Sequence, residues 1–354
     1  RSALLGGTTT TISFAPQMPD VSLTESIADY RARADRGAMT DFAFHLTLSD
    51  LSRDGIERDL STAIESGHRS IKVFTTYNIR LDDPDILSLL SIAKEAGALL
   101  CVHAENDALI DWTRNKLLES GKTAPHFHAV SRPRLAEVEA VGRMIAFSEF
   151  FGWPVMLFHI STAEAVEMIA SAKARGVPVM AETCPHYLLM NEDVLMRDNA
   201  PKWMCSPPQR GQADSDALWE GLESGTIDLI SSDHAPYRMD TTGKLLNGRD
   251  AAFPDIANGL PGLQTRLPVM FDAFISRGLT VARFVDACAT KPADLHGLTQ
   301  KGQIAPGFDA DLVIWDETRR VTFGTNDLAD NVGYNPWEGR EITGWPETVI
   351  RRGE

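Results

Sequence analysis

Four side chains in this sequence have metal-ligand or acid–base chemistry and occupy comparable places: Lys72 in RSIKVF, His103 in ALLCVHA, His159 in PVMLFHI and Asp233 in IDLISSD. Each falls at or near the end of an apolar run of strand length. Singly, each has an ordinary explanation. A histidine at a strand end is usually a hydrogen-bonded rim residue, and an aspartate before His234 can cap a turn. Jointly, they place two imidazoles, a carboxylate and a lysine where strand ends converge. Neutral imidazoles and carboxylates suit zinc, and a zinc ion with an open position lowers the pKa of its water toward neutrality. An ammonium is a poor ligand. A lysine desolvated beside metals can lose its proton and take up carbon dioxide as a carbamate, an anion able to bridge two metals. Asp233 is the candidate to collect a proton from the water and deliver it to a leaving amine. His45, in FAFHLTL, is read as an ordinary core or rim histidine with nothing polar around it.

The elements that must position these residues follow from the alternation of apolar runs with helix-period segments. Strands are expected at 8–15, 41–48, 69–74, 98–104, 154–160, 177–183 and 227–233. Helices are expected in SLTESIADYRARA, DGIERDLSTAIESG, DPDILSLLSIAKEAG, PRLAEVEAVGRMIAFSEFFG and TAEAVEMIASAKARG. Several open on Ser, Thr or Asp and close on Gly, as helix caps require. The strands are near-continuous apolar runs, the pattern of a parallel sheet covered on both faces. Repeated βα units favour a (β/α)8 TIM-like barrel, an α/β fold, with residues 1–300 as the catalytic unit. Only seven strands are countable, so the first strand of that barrel is expected to be missing from the chain. From about residue 301 to 354 the texture changes to KGQIAPGFDADLVIWD and its continuation. This reads as short strands with Gly turns, part of a small β-rich, β-sandwich-like appendage.

The net charge of −15 argues against nucleic acid as a partner, since no Lys/Arg stripe is present to neutralise phosphates. No apolar stretch reaches the roughly 18 residues of a membrane span. Cys101, Cys184, Cys205 and Cys288 are scattered without CxxC spacing, so Cys101 is read as a buried reduced thiol and the location as cytoplasmic.

Taken together, IKVFTTY, LCVHAEN, KTAPHFHAVSRP, LFHIST, AETCPHYLLM, CSPPQR, SSDHAP, NGLPG, KGQIAPGFDADLVIWD and NPWEGREITGWPETV resemble the cyclic-amidohydrolase branch of the amidohydrolase superfamily. Dihydropyrimidinases and hydantoinases are the nearest members, and the resemblance spans essentially the whole chain. It implies a binuclear site of two zinc ions bridged by carboxylated Lys72. His103 and His159 would hold the more exposed metal, and Asp233 would hold the buried one and shuttle the proton. It implies that Tyr77 polarises the ring carbonyl, and that the main chain at Ser206 and Asn258 holds the ring amide. The implied reaction opens a 5,6-dihydropyrimidine or a 5-substituted hydantoin to an N-carbamoyl amino acid, in a homotetramer or homodimer.

Three features depart from the family pattern. The His-x-His pair of the first strand is absent. His126-Phe127-His128 has the spacing, but it lies in a helix-flanking loop and is not read as a substitute. Gln264 stands where many relatives carry Glu and is read as a surface change. His186 in AETCPHYL is as similar to allantoinases as to dihydropyrimidinases, which leaves allantoinase or dihydroorotase activity as alternatives. A non-catalytic scaffold is the reading from another class. Without its His-x-His pair the chain alone is expected to be metal-poor and inactive, and substrate preference is expected to lie in the loops 15–21 and 75–82.

Overall fold

The strand-length apolar runs pair in the order in which they occur. In the computed structural model, which describes residues 1–18, 21–53 and 55–354, seven strands form one parallel sheet: β1 (Thr10–Pro16), β2 (Asp41–Thr47), β3 (Ser70–Phe74), β4 (Leu99–His103), β5 (Val155–Leu157), β6 (Val179–Thr183) and β7 (Leu229–Ile230). Among the described residues β1 and β7 are not paired with each other. The order β1 to β7 without a crossover is that of a curled βα barrel wall, and helices cover its outer face. Ile71, Leu100, Val102, Val155 and Leu157 are fully buried in that wall, as strands covered on both faces must be.

The helices end where their cap chemistry says they should. Ser22 and Glu25 form a reciprocal capping box at the start of Leu23–Gly37. Asp82 caps Asp83–Ala96, whose far end turns into the left-handed region at Gly97. Asn106 caps Asp107–Glu119 by accepting from the Leu109 amide. The expected helix 54–67 is seen as Ile56–Glu65, and the expected start at Asp54 lies outside the described residues.

Two strands are shorter than expected, for a reason that bears on chemistry. The runs 154–160 and 227–233 pair only over Val155–Leu157 and Leu229–Ile230. Just beyond them His159 and Asp233 each take φ +40°, a conformation L side chains rarely adopt and one concentrated at functional sites. The regular register ends before each of them, although Ile160 N still donates to Glu182 O at 2.8 Å and Ser231 N to Thr183 O at 3.0 Å.

After residue 300 the structure departs from the expected series of short strands. Residues 301–311 are turns, and two long antiparallel strands follow, β8 (Leu312–Thr322) and β9 (Glu341–Ile350). This ribbon packs on the helix Arg266–Ser276 through Phe271 and Trp315, whose rings stack 4.5 Å apart at 14°. Among the described residues no helix is long and apolar enough to cross a membrane.

Candidate active site

Lys72 projects from β3, and its Nζ lies 3.7 Å from the centroid of the Phe158 ring. The side chain is 1% exposed and its Nζ has no hydrogen-bond partner among the described residues. An ammonium offers three donors, so an unpartnered one in the interior is costly. Burial pushes its pKa down to about 8, opposed by the charges of Glu182 and Asp233 nearby.

His103 ends β4, and its ring lies 4.5 Å from that of His159. Burial holds both imidazoles in the neutral, ligating form: His103 falls to about 4 and His159 well below its ordinary value. His159 Nδ1 has no partner among the described residues. His103 Nε2 lies 2.8 Å from Glu105 Oε2, and Arg132 donates to the same carboxylate at 2.6 Å. Burial alone would raise the Glu105 pKa, but the Arg132 charge and the His103 hydrogen bond hold it below the usual carboxylate range.

Asp233 is half-buried beyond the end of β7. Burial raises its carboxyl to about 6, while Lys72 pulls the other way. Glu182 near the end of β6 behaves alike: burial raises it to about 7, and Ser231 Oγ donates to it at 2.8 Å. His103 and His159 are thus adjacent and Lys72 is in electrostatic reach of both and of Asp233. His103, His159 and Asp233 do not all bring ligand atoms within 4.8 Å of one another.

Tyr77 takes φ +72° on the loop after β3. Asp107 fixes that turn by accepting from Thr76 Oγ1 at 2.8 Å and from the Tyr77 amide at 3.2 Å. The phenol is pushed up to about 12, mainly by burial, and Ser206 and Arg132 lie close enough to oppose the rise. The structure therefore brings Tyr77 and Ser206 together. His128 Nε2 lies 2.8 Å from the Cys205 carbonyl and 3.3 Å from Ser206 Oγ. Asn258 lies on a second loop, joined to the first by the Gly259 amide donating to Met204 O at 2.9 Å. Buried Lys244 clamps both, donating to Met204 O at 3.2 Å and Ala257 O at 2.9 Å.

Two expectations are corrected. His45 is not without polar company: Ser70 Oγ lies 2.5 Å from its Nδ1, and Cys101 and His296 stand beside it. These neighbours come from other segments, which local inspection of FAFHLTL could not reveal. Gln264 is not a surface residue. It is 7% exposed, and its amide donates to Asp327 O at 3.1 Å and accepts from Ala329 N at 2.8 Å. A carboxylate could not make the first of those bonds. All four cysteines are free and buried, the state expected of Cys101. Part of the loop 15–21, Pro19 and Asp20, lies outside the described residues.

The model of the amidohydrolase family matches residues 81–354. The chain belongs to the amidohydrolase family. Within it, the chain is 38% identical to a D-hydantoinase of Geobacillus stearothermophilus, covering 100% of this chain and 76% of that protein. It is 35% identical to a D-hydantoinase of Ralstonia pickettii, with 100% and 78% covered. The crystal structure of dihydropyrimidinase from Brevibacillus agri NCHU1002 superposes with a TM-score of 0.95 at 36% identity, over 99% of this chain and 77% of that one. This amidohydrolase is accordingly of the cyclic-amide branch and resembles the hydantoinases.

Several site residues of this amidohydrolase escaped the sequence reading. Glu182, in AET at a strand end, met the rule that singled out His103 and Asp233. Glu105 sits two residues beyond His103 in HAEN. Arg132 and Lys244 gave no local signal, because their roles depend on partners brought from elsewhere in the fold, and His128, noted only for its His-x-His spacing, takes its place through Cys205 and Ser206.

Proposed function

We propose that this chain hydrolyses a cyclic amide or imide ring, a 5,6-dihydropyrimidine or a 5-substituted hydantoin, to an N-carbamoyl amino acid. The observation that carries the reading is the pairing of similarity to hydantoinases over all of this chain with Lys72, His103, His159 and Asp233 on or just beyond β3, β4, β5 and β7.

The donor set present fits one zinc ion, held by carboxylated Lys72, His103 and His159, and supplies a second ion only with that carbamate and Asp233. Lys72 Nζ and His159 Nδ1 are buried polar atoms without a partner among the described residues, and neutral imidazoles with carboxylates are zinc's ordinary ligands. The lowered Lys72 pKa supports the modification: its free amine would bond to the carbon of carbon dioxide, lose a proton and become a carbamate. His103 and His159 would hold one ion and Asp233 the other, with the His-x-His pair of the family pattern absent from this chain. Such ions, when bound, supply the Lewis acidity that activates water and polarises the ring carbonyl.

The chain's own groups do the rest. Asp233, with its raised pKa, is suited to take a proton near neutrality and give it to the departing ring nitrogen. The Tyr77 phenol stays protonated and can donate to the oxyanion that develops on the carbonyl. The main chain at Ser206 and Asn258 would hold the ring amide, with Lys244 fixing both loops. Glu105 and Arg132 orient His103.

A cytoplasmic location, a homotetramer or homodimer, and a division into a barrel over 1–300 and a β-sandwich-like unit over 301–354 belong to the same proposal. Four buried free cysteines support the first. The test is ring opening of dihydrouracil, a 5-phenylhydantoin and allantoin by the zinc-loaded protein. Turnover of either of the first two supports the reading. Turnover of allantoin alone replaces it with the allantoinase reading, and a full-length protein that carries no stoichiometric zinc favours a scaffold.

A further inference from the structure

A second cluster of ligand-bearing side chains lies inside the curl of the sheet, one pleat toward the strand starts. Cys101 precedes His103 by two residues on β4, and Ser70 precedes Lys72 by two on β3. His45, on β2, reaches the same level: its Nδ1 lies 2.5 Å from Ser70 Oγ, which in turn lies 3.4 Å from Cys101 Sγ. With the ring proton on Nδ1 given to Ser70, Nε2 keeps its lone pair. His296 enters from the end of the short helix Lys291–Leu295, its ring 5.1 Å from that of His45, and its Nδ1 has no partner among the described residues. One ligand atom each from His45, Cys101 and His296 lie within 4.8 Å of one another, the only such three-donor group of His, Cys, Asp and Glu among the described residues.

The surroundings define what could bind. Leu99, Met156, Phe158 and Leu229 form the apolar cluster that contains Cys101. No carboxylate belongs to the three-donor group, so oxygen-seeking ions such as Mg2+ and Ca2+ have nothing to hold them. Burial keeps both imidazoles neutral, His45 far below its ordinary value and His296 at about 4. Burial pushes the Cys101 thiol up, so it becomes a thiolate only by yielding its proton to an incoming metal, and thiolate with two imidazoles is then a soft, nitrogen-and-sulfur donor set.

We propose that His45, Cys101 and His296 form a second metal site, distinct from the one at the strand ends, that takes a thiophilic d10 cation, Zn2+ or Cu+. Binding forms the metal–sulfur bond, breaks the Cys101 S–H bond and releases that proton to solvent, with no change of oxidation state. The ion ties β2 and β4 to the segment after residue 290. Cu+ with the thiolate makes a neutral unit, whereas Zn2+ leaves one positive charge and a fourth position to fill.

The test uses Co2+ as the spectroscopic stand-in for Zn2+, and Cu+ in competition with a chromophoric chelator. The proposed strand-end site has no thiolate among its ligands, so a near-ultraviolet thiolate-to-Co2+ charge-transfer band reports the second site alone. The expected result is such a band, or chelator-resistant Cu+, in the wild-type protein. Cys101→Ser should abolish it, and His296→Phe should weaken binding about tenfold or more. Ser70→Ala, which removes the hydroxyl between His45 and Cys101, should weaken it by a similar factor. Absence of both signals in the wild-type protein overturns the proposal, as does a band that survives in folded Cys101→Ser. If that variant does not fold, unchanged affinity in His296→Phe, at a half-buried position, overturns it equally.

Discussion

His103 donates its Nε2 proton to the Glu105 carboxylate across 2.8 Å, which leaves Nδ1 as the nitrogen with a free lone pair. The carboxylate is ionised because Arg132 holds it below the usual range. A buried carboxylate that fixes the tautomer and orientation of a ligating histidine contributes tenfold to a hundredfold in metal affinity. Glu105→Gln is therefore expected to weaken zinc binding by about 10–100-fold. It also leaves Arg132 buried without its counter-charge, a loss of about 3–5 kcal/mol. Zinc titration by chelator competition and denaturant unfolding check the two effects separately.

Asp233→Asn keeps the shape of the side chain but removes the base. Ring opening is expected to fall by about 10²–10⁴-fold, the usual contribution of a positioned acid–base group. Turnover of dihydrouracil is measured alongside zinc content. Near-wild-type turnover with metal still bound would sink the shuttle role.

Tyr77→Phe removes a single hydroxyl and keeps the ring beside Phe74 and His103. Losing one preorganised oxyanion donor should lower kcat by about 10²–10³-fold with KM little changed. Steady-state kinetics on a 5-phenylhydantoin separate this from a packing role, which would move stability instead.

Buried Lys244 makes stability depend on pH in the alkaline range. Burial lowers its pKa from 10.5 to about 7 in the folded chain. Between those values the unfolded state binds more protons, so stability rises with pH across that window, by up to about 1.4 kcal/mol per pH unit per group. Lys72, lowered to about 8, adds to the same slope in the metal-free protein. Lys244→Met should flatten the rise without abolishing it, as read from urea unfolding at pH 7, 8.5 and 10.

These residues also show how far the sequence could be read. Lys72, His103, His159 and Asp233 were legible because strand ends in a βα series share one rim, so position along the chain translates into position in space. Gln264 and His45 were misread because their partners lie far off in sequence: Asp327 and Ala329 for the one, Ser70 and His296 for the other. The shortened strands before His159 and Asp233 were illegible for another reason. Nothing in their composition marks a residue that will take φ +40°, since that strain is imposed by the surrounding fold.

The ribbon β8–β9 is held to the body by an approach so close that it dictates a glycine. Gly344 on β9 takes φ +100°, and a Cβ there would stand 2.3 Å from Phe271 Cδ1. The strand passes directly over the Phe271 ring, which is stacked on Trp315 and edge-on to Phe284. Phe271 is 5% exposed and belongs to the main core, so it cannot swing away without opening a cavity. Gly344→Ala meets both obstacles at once: a backbone angle unfavourable to an L side chain, and a contact no real Cβ makes. Overpacking of this kind costs about 1–3 kcal/mol, and the strained φ adds on the order of 1 kcal/mol. Phe271→Ala removes the clash but leaves a cavity, with a loss of about 3–5 kcal/mol by itself. The double variant should be less destabilised than the sum of the two singles, because the alanine methyl moves into space the ring has left. Denaturant unfolding of the four proteins measures that coupling, and strict additivity would show that Gly344 is required for its backbone angle alone.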